Sequence, residues 1–169
     1  LQEVEYILPE IESDGSVVMT IRTTSKNYDS RLRYTLDTWW KSVANKVYVI
    51  SDDYDRESVQ TARRILGEHF IETKCGSEYH SPSLACKCKA ELDMLYKADA
   101  RWSWRFDDDT YVNVPLLMRT LAEFNSEERI LIGRTTMGPW NLLFRGREYN
   151  ITFPTGNALC MSRPLLHCL

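Results

Sequence analysis

The sequence has no excess of positive charge. Its 21 Lys and Arg stand against 24 Asp and Glu, a net charge of −3, which excludes the broad basic surface used for nucleic-acid binding. No run of about 18 apolar residues occurs, so nothing in the 169 residues reads as a membrane span. There is no internal repeat and no low-complexity tract. The N-terminus carries neither an initiator Met nor a signal-peptide pattern, and the chain stops at HCL directly after an apolar run. It is therefore expected to be a piece of a longer protein, with any signal or anchor outside it. The length suits one domain with its own core. An apolar content of 43% and a charged content of 27% fit a globular chain rather than a disordered one.

Five cysteines are present: Cys75, Cys86, Cys88, Cys160 and Cys168. Cys86 and Cys88 are too close for a zinc knuckle. Cys75 and Cys86 bracket the turn-rich stretch GSEYHSPSLA. Two readings stand: a disulfide-closed loop, as in secreted or lumenal proteins, or buried free thiols in a reducing compartment. The sequon Asn150-Ile151-Thr152 is no more than chance supplies.

Residues 1 to 15 read as an acidic lead-in, and 16 to 169 as one domain. Val17 to Ile21 is a β-branched apolar run, a buried strand, and the polar loop RTTSKNYDS follows it. Residues 30 to 41 place Leu32, Leu36, Trp39 and Trp40 at helical spacing, and these tryptophans, with Trp102, belong to the core. Lys46 to Ile50 is a second strand, ending in SDD. A helix over 56 to 67 closes on Gly67, and His69 to Thr73 is a third strand. Ser81-Pro82 opens a helix to Tyr96, with Leu84, Lys87, Glu91, Leu92 and Leu95 in register. Arg101 to Phe106 is a fourth strand, Pro115 starts a helix of about ten residues, and Arg129 to Ile132 returns as a strand. Such alternation predicts an α/β fold with a mainly parallel sheet flanked by helices. Ligands of such sheets bind beyond the carboxyl ends of the strands.

The fourth strand ends in three acids, Asp107, Asp108 and Asp109, although adjacent carboxylates repel one another. If the extended geometry persists, Asp107 and Asp109 face the same way and make a seat for a hard divalent cation. The alternative is a solvated acidic turn, with Asp109 or Thr110 capping the next helix. A Ca²⁺-binding EF-hand loop is excluded by Tyr111 and Val112, which stand at its fifth and sixth positions. An aspartyl-phosphate hydrolase motif is disfavoured by the same Tyr111 and by its late place in the chain. What remains is an aspartate pair holding Mg²⁺ or Mn²⁺ on a diphosphate.

Five blocks in order carry a resemblance over roughly residues 17 to 163: TIRTTSKNYDSRLRYTLDTWW, SDD, SPSLACKCKAELDMLYK, WSWRFDDDTYVNVPLL and TGNALCMSR. Together they resemble the Fringe proteins, β-1,3-N-acetylglucosaminyltransferases of glycosyltransferase family 31, and more distantly the core-1 β-1,3-galactosyltransferases. The resemblance implies a GT-A (Rossmann-like) fold, a UDP-sugar donor and Mn²⁺ or Mg²⁺. It also implies inverting β-1,3 transfer of a hexose or N-acetylhexosamine to a glycan or glycoprotein acceptor, by a type II membrane protein of the Golgi lumen. Carried over by position, Asp109 is the metal ligand, with Asp107 and Asp108 on the nucleotide or sugar and Asp107 also beside the metal. Thr23, Thr24 and Arg31 line the diphosphate pocket, Asp53 sits by the uracil or ribose, and Gly156 and Asn157 border the donor sugar. Cys75 and Cys86 match a family disulfide.

Plainer roles remain open for several of these. Arg31 also suits a surface pair with Asp29, Thr23 and Thr24 suit a helix cap, and Asn113 suits the turn behind the triplet. Lys87 is expected on a solvated helix face, and His167 in packing on the following helix. The chain also departs from the family pattern. Trp104 and Arg105 stand where the family has the Cys that pairs with Cys160, leaving Cys160 free or paired with Cys88 or Cys168. Asn157 and Leu159 replace glycines. Inversion needs a general base, and no residue of 1 to 169 answers to it; the resemblance places it later. An inactive sugar-nucleotide or glycan-binding module on the same fold is the alternative function.

Overall fold

The computed structural model describes residues 6, 8–9, 15–52, 56–135, 140–144, 146–151 and 154–169. Their core is a six-stranded sheet in the order β3-β2-β1-β4-β8-β5. Strands β1 (Val17–Arg22), β2 (Val47–Asp52), β3 (Phe70–Thr73) and β4 (Trp102–Asp107) run parallel. β8 (Pro154–Ser162) is antiparallel to β4 and to β5 (Leu131–Thr135). A separate hairpin pairs β6 (Trp140–Phe144) with β7 (Arg147–Ile151).

The central strands are apolar on both faces, as a doubly covered parallel sheet requires. On one face Val17, Met19, Ile21, Val47, Val49 and Trp102 pack beneath α1 (Arg33–Asp37), α2 (Arg56–Leu66) and α4 (Val114–Leu121). On the other, Val18, Tyr48, Ile50 and Ile71 meet Ala90, Met94 and Leu95 of α3 (Ser81–Ala98), and Leu166 of α5 (Arg163–Leu166) lies in the same cluster. Tyr6 and Leu8 of the lead-in pack against this second cluster. Trp39 and Trp102 are buried and Trp40 packs on the core's margin, as the spacing predicts. No helix among the described residues is long and apolar enough to cross a membrane.

The helix expected over 30 to 41 is broken into a π turn at Tyr28–Leu32, the short α1 and a 3₁₀ turn at Trp39–Ser42. The break falls at Thr38, whose hydroxyl donates to the Tyr34 carbonyl at 2.6 Å, a bond that competes with helical pairing. Trp39 Nε1 donates to Thr110 O at 3.0 Å, tying the next turn to the acidic loop. α2 ends as expected at Gly67, whose φ of +58° is the left-handed conformation that glycine favours. α4 is capped by Asn113, whose Oδ1 accepts from Leu116 N at 3.1 Å. Asn113 therefore takes the cap offered to Asp109 or Thr110.

Cys75 and Cys86 form a disulfide, with Cα atoms 5.7 Å apart. Breaking it should lower stability by roughly 2–3 kcal/mol, the loop-closure value for so short a loop. Urea unfolding of the Cys75→Ala, Cys86→Ala chain measures this. Cys160 is a buried free thiol, and burial pushes its pKa up. Its register partner across β4–β8 is Trp104, one of the two residues that stand where the resemblance expects the pairing cysteine. Side chains directly opposite in antiparallel strands are within disulfide reach. Trp104→Cys is therefore expected to crosslink to Cys160 on air oxidation, read as the loss of one labelled thiol relative to the parent chain.

Candidate functional site

Three parallel strands finish at one edge with a charged residue each: Arg22, Asp52 and Asp107. Beyond β4 the chain turns at once, with Thr110 N donating to Asp107 O at 3.1 Å. The extended alternation that would align Asp107 with Asp109 therefore stops at Asp107, and the three carboxylates take different hydrogen-bond partners. Asp107 takes Arg22 Nη2 on Oδ1 at 2.5 Å. Asp108 is turned inward and buried. Asp109 is open to solvent, with 42% of its side chain exposed.

Asp108 knits the edge together. Its Oδ2 accepts from Thr23 Oγ1 at 2.7 Å and from Asn27 Nδ2 at 2.8 Å. Its carbonyl accepts from Thr35 Oγ1 at 3.1 Å. Arg31 reaches across, with Nη1 3.5 Å from Asp108 Oδ1 and 3.6 Å from Asp109 Oδ2. Asp109 Oδ1 accepts from Asn157 Nδ2 at 2.7 Å, and Asn157 O accepts from Thr110 Oγ1 at 3.2 Å. Thus Thr23, Arg31, Asp108, Asp109 and Asn157, far apart in sequence, meet in one connected group. Arg31 faces the triplet, and the hydroxyl of Thr23 serves Asp108 rather than a helix end. Thr24 lies beside it, its hydroxyl directed to Ser77 O at 3.4 Å in the disulfide-closed loop. Gly156 lies in β8 next to Asn157. Asp53 falls outside the described residues.

A second layer, on the α3 side, was missed in the sequence. Lys87 is buried rather than on the solvated face expected of a lysine: Nζ lies 2.6 Å from Asp52 Oδ2 and 3.1 Å from Thr23 O. Asp52 Oδ1 accepts from Ser25 Oγ at 2.7 Å and Ser25 N at 3.3 Å. Burial alone would raise the Asp52 pKa, but hydrogen bonds from Lys87, Thr24 and Ser25 and the Lys87 charge hold it below the ordinary value. Four residues further along α3, Glu91 is fully buried beside Arg22 and Arg105. Burial raises its pKa, and the two guanidinium groups offset this only in part. One signal was available: Lys87 and Glu91 share the helical register of Leu84 and Leu95, so charged side chains stand on a packed face. His167 is half-exposed at the end of α5, stacked on Tyr96 and 2.9 Å from Asp99 Oδ1.

Among the described residues no three His, Cys, Asp or Glu side chains converge into a metal cage. A hard cation shared with phosphates needs only one or two carboxylates. Among the described residues at this edge, Asp109, exposed and with Oδ2 no nearer than 3.6 Å to Arg31, is a carboxylate that fits.

A family model described as Fringe-like matches residues 12–169. The chain belongs to the Fringe-like family. It is similar to the Fringe glycosyltransferase of Drosophila melanogaster, 27% identical over 165 residues, which is 93% of this chain and 39% of the fly protein. The human β-1,3-N-acetylglucosaminyltransferase manic fringe is 31% identical over 159 residues, 88% of this chain and 47% of that protein. The Danio rerio β-1,3-N-acetylglucosaminyltransferase lunatic fringe is 30% identical over 160 residues, 90% of this chain and 42% of that protein. The Fringe-like chain thus spans less than half the length of these relatives. Its mixed, mostly parallel sheet flanked by helices is consistent with a GT-A-like architecture.

Proposed function

We propose that this chain is the nucleotide-sugar-binding part of an inverting, metal-dependent hexosyltransferase. The reaction moves a hexose or N-acetylhexosamine from a UDP-sugar to an acceptor hydroxyl, in β-1,3 linkage on a glycoprotein glycan. The observation that carries this reading is the joined group of Thr23, Arg31, Asp108, Asp109 and Asn157 at the carboxyl edge of the sheet. The β-1,3-N-acetylglucosaminyltransferase activity of the manic and lunatic fringe relatives supports it. Asp109 would hold Mn²⁺ or Mg²⁺, with Asp107 beside it. Thr23, Thr24 and Arg31 would line the diphosphate pocket and Gly156 and Asn157 would border the donor sugar, while the resemblance assigns Asp53 to the uracil or ribose. When bound, the ion supplies charge neutralisation for the leaving nucleoside diphosphate. Among the described residues at this edge, Arg31, 55% exposed, is a guanidinium with surface left for a phosphate. Asp108 acts from within, holding Thr23 and Asn27 in place. The Cys75–Cys86 disulfide supports an oxidising compartment, in line with a Golgi-lumenal domain of a type II membrane protein.

One observation favours a second reading, a catalytically inactive binding module. Asn157 stands where the resemblance expects glycine, and its amide occupies Asp109 Oδ1. Two measurements separate the readings. Calorimetry with UDP should show binding with Mn²⁺ that is lost with chelator. Hydrolysis of a UDP-sugar panel by the full-length protein should then release UDP from at least one sugar. Equal UDP affinity with and without metal refutes the metal role, and binding without turnover supports the module.

A further inference from the structure

Beneath the acidic turn, on the face covered by α3, lies a square of side chains from two neighbouring strands. Thr20 and Arg22 of β1 are the register partners of Arg105 and Asp107 of β4, so all four project to one face. Glu91 of α3 joins them, with none of its side chain exposed. Its Oε1 accepts from Thr20 Oγ1 at 3.2 Å. Its Oε2, without a hydrogen-bond partner among the described residues, lies 3.4 Å from Arg105 Nη2 and 3.7 Å from Arg22 Nη1. Arg22 is shared: its other terminal nitrogen lies 2.5 Å from Asp107 Oδ1. Two guanidinium groups and two carboxylates balance within the square.

We infer that Arg22 is a positioning residue, held by the buried Glu91, that fixes Asp107 and through it the start of the acidic turn. The inference rests on the nucleotide-sugar reading above. Three features carry it. Glu91 is anchored by burial and cannot follow solvent. Arg22, with only 16% of its side chain exposed, is a rigid planar fork placed between two carboxylates. Asp107 is the residue at which β4 ends and the turn to Asp109 begins. Without the fork, Asp107 is free to swing toward Asp108, and like charges at adjacent positions push the turn apart. A lysine at position 22 keeps the charge but is a point donor that serves one carboxylate at a time.

The test is a double-mutant cycle read as UDP affinity with Mn²⁺, with thermal unfolding followed in parallel. Arg22→Lys should weaken UDP binding by about 10-fold, the low end for partners that orient a ligand-bearing group. In the Asp107→Asn background the same change should have no further effect, because the group through which Arg22 acts has gone. An unchanged affinity for Arg22→Lys, or a full additional 10-fold loss in the Asp107→Asn background, overturns the inference. If Arg22→Lys does not fold, Glu91→Gln, which keeps size and the Thr20 hydrogen bond, runs the same cycle with the same expected outcomes. Failure of the parent chain itself to bind UDP is a distinct result: it overturns the nucleotide-sugar reading and the role of Arg22 with it.

Discussion

Lys87→Met is expected to lower the unfolding free energy by about 3–5 kcal/mol, the cost of removing one partner from a buried ion pair. The pair is closed to water, with Lys87 5% and Asp52 0% exposed at the side chain. Methionine fills the volume of the lysine stem but takes the Lys87 charge and its hydrogen bond away from the buried Asp52 carboxylate. Domain stabilities run from about 5 to 15 kcal/mol, so a loss of this size is a large share of the total. The damage is also local to the site, because Lys87 Nζ bonds Thr23 O and Asp52 holds Ser25, the residues that carry β1 into the edge loop. Adding Asp52→Asn to the variant should recover part of the loss by removing the stranded charge. The pH dependence has a definite sign. In the parent chain Asp52 titrates below its ordinary value of 3.8, so its contribution is present above that pH and is lost as pH falls through the folded value. In Lys87→Met the carboxyl is buried without its cation and titrates higher, so acid protonates it and relieves the penalty. The gap between parent and variant in urea unfolding should therefore be widest near neutrality and narrow below about pH 4. A gap independent of pH would show that the buried charge is not its cause.

The parallel half of the sheet was legible because each of its strands is an apolar run cut off by polar residues. Val17 to Ile21 and Val47 to Ile50 are buried on both faces, so their composition announces them without alternation. β8 was not read as a strand. Thr155, Gly156, Asn157 and Ser162 look like loop residues, and only the pairing with β4 and β5 makes Ala158 to Met161 a ladder. Ser162 is tolerated in the core because its hydroxyl donates to Glu128 O at 2.6 Å and accepts from Ile130 N at 2.9 Å, partners no local pattern foretells. At the site, the first acid after the second strand proved to be the anchor. Asp52 ends a buried strand, where a carboxylate must find a cation. Lys87 supplies it from 35 residues away. The helix register had put Lys87 on the packed face, but a lone lysine there reads as a snorkelling side chain until its partner is known. Arg105, at the edge of the Trp104–Cys160 departure, likewise made sense only once Glu91 was found beside it.

Asp109→Asn is the sharpest probe of the site, because the structure separates its effect on binding from its effect on folding. Asp109 is exposed, and its neighbours are Asn157 and the half-exposed Arg31. Exposed ion pairs contribute about 0–1 kcal/mol, so the variant should unfold within about 1 kcal/mol of the parent. Its Asn157 contact survives through the side-chain carbonyl, which still accepts the amide proton. A neutral amide is a far poorer ligand for a hard cation than a carboxylate. Residues that merely support a metal ligand are worth roughly 10- to 100-fold in affinity, so if Asp109 is the ligand proposed above, its loss should cost at least about 100-fold in Mn²⁺-dependent UDP binding. Asp108→Asn is the contrasting variant. It removes a buried charge that receives Thr23 and Asn27 and lies near Arg31, so it should destabilise the fold by about 1–3 kcal/mol and weaken UDP binding in Mn²⁺ as a consequence of the loosened loop. Calorimetry in Mn²⁺ and in chelator, beside urea unfolding, reads all of these quantities. If Asp109→Asn bound UDP as the parent does in Mn²⁺, the metal would have to be held elsewhere and the division of labour within the triplet would be wrong.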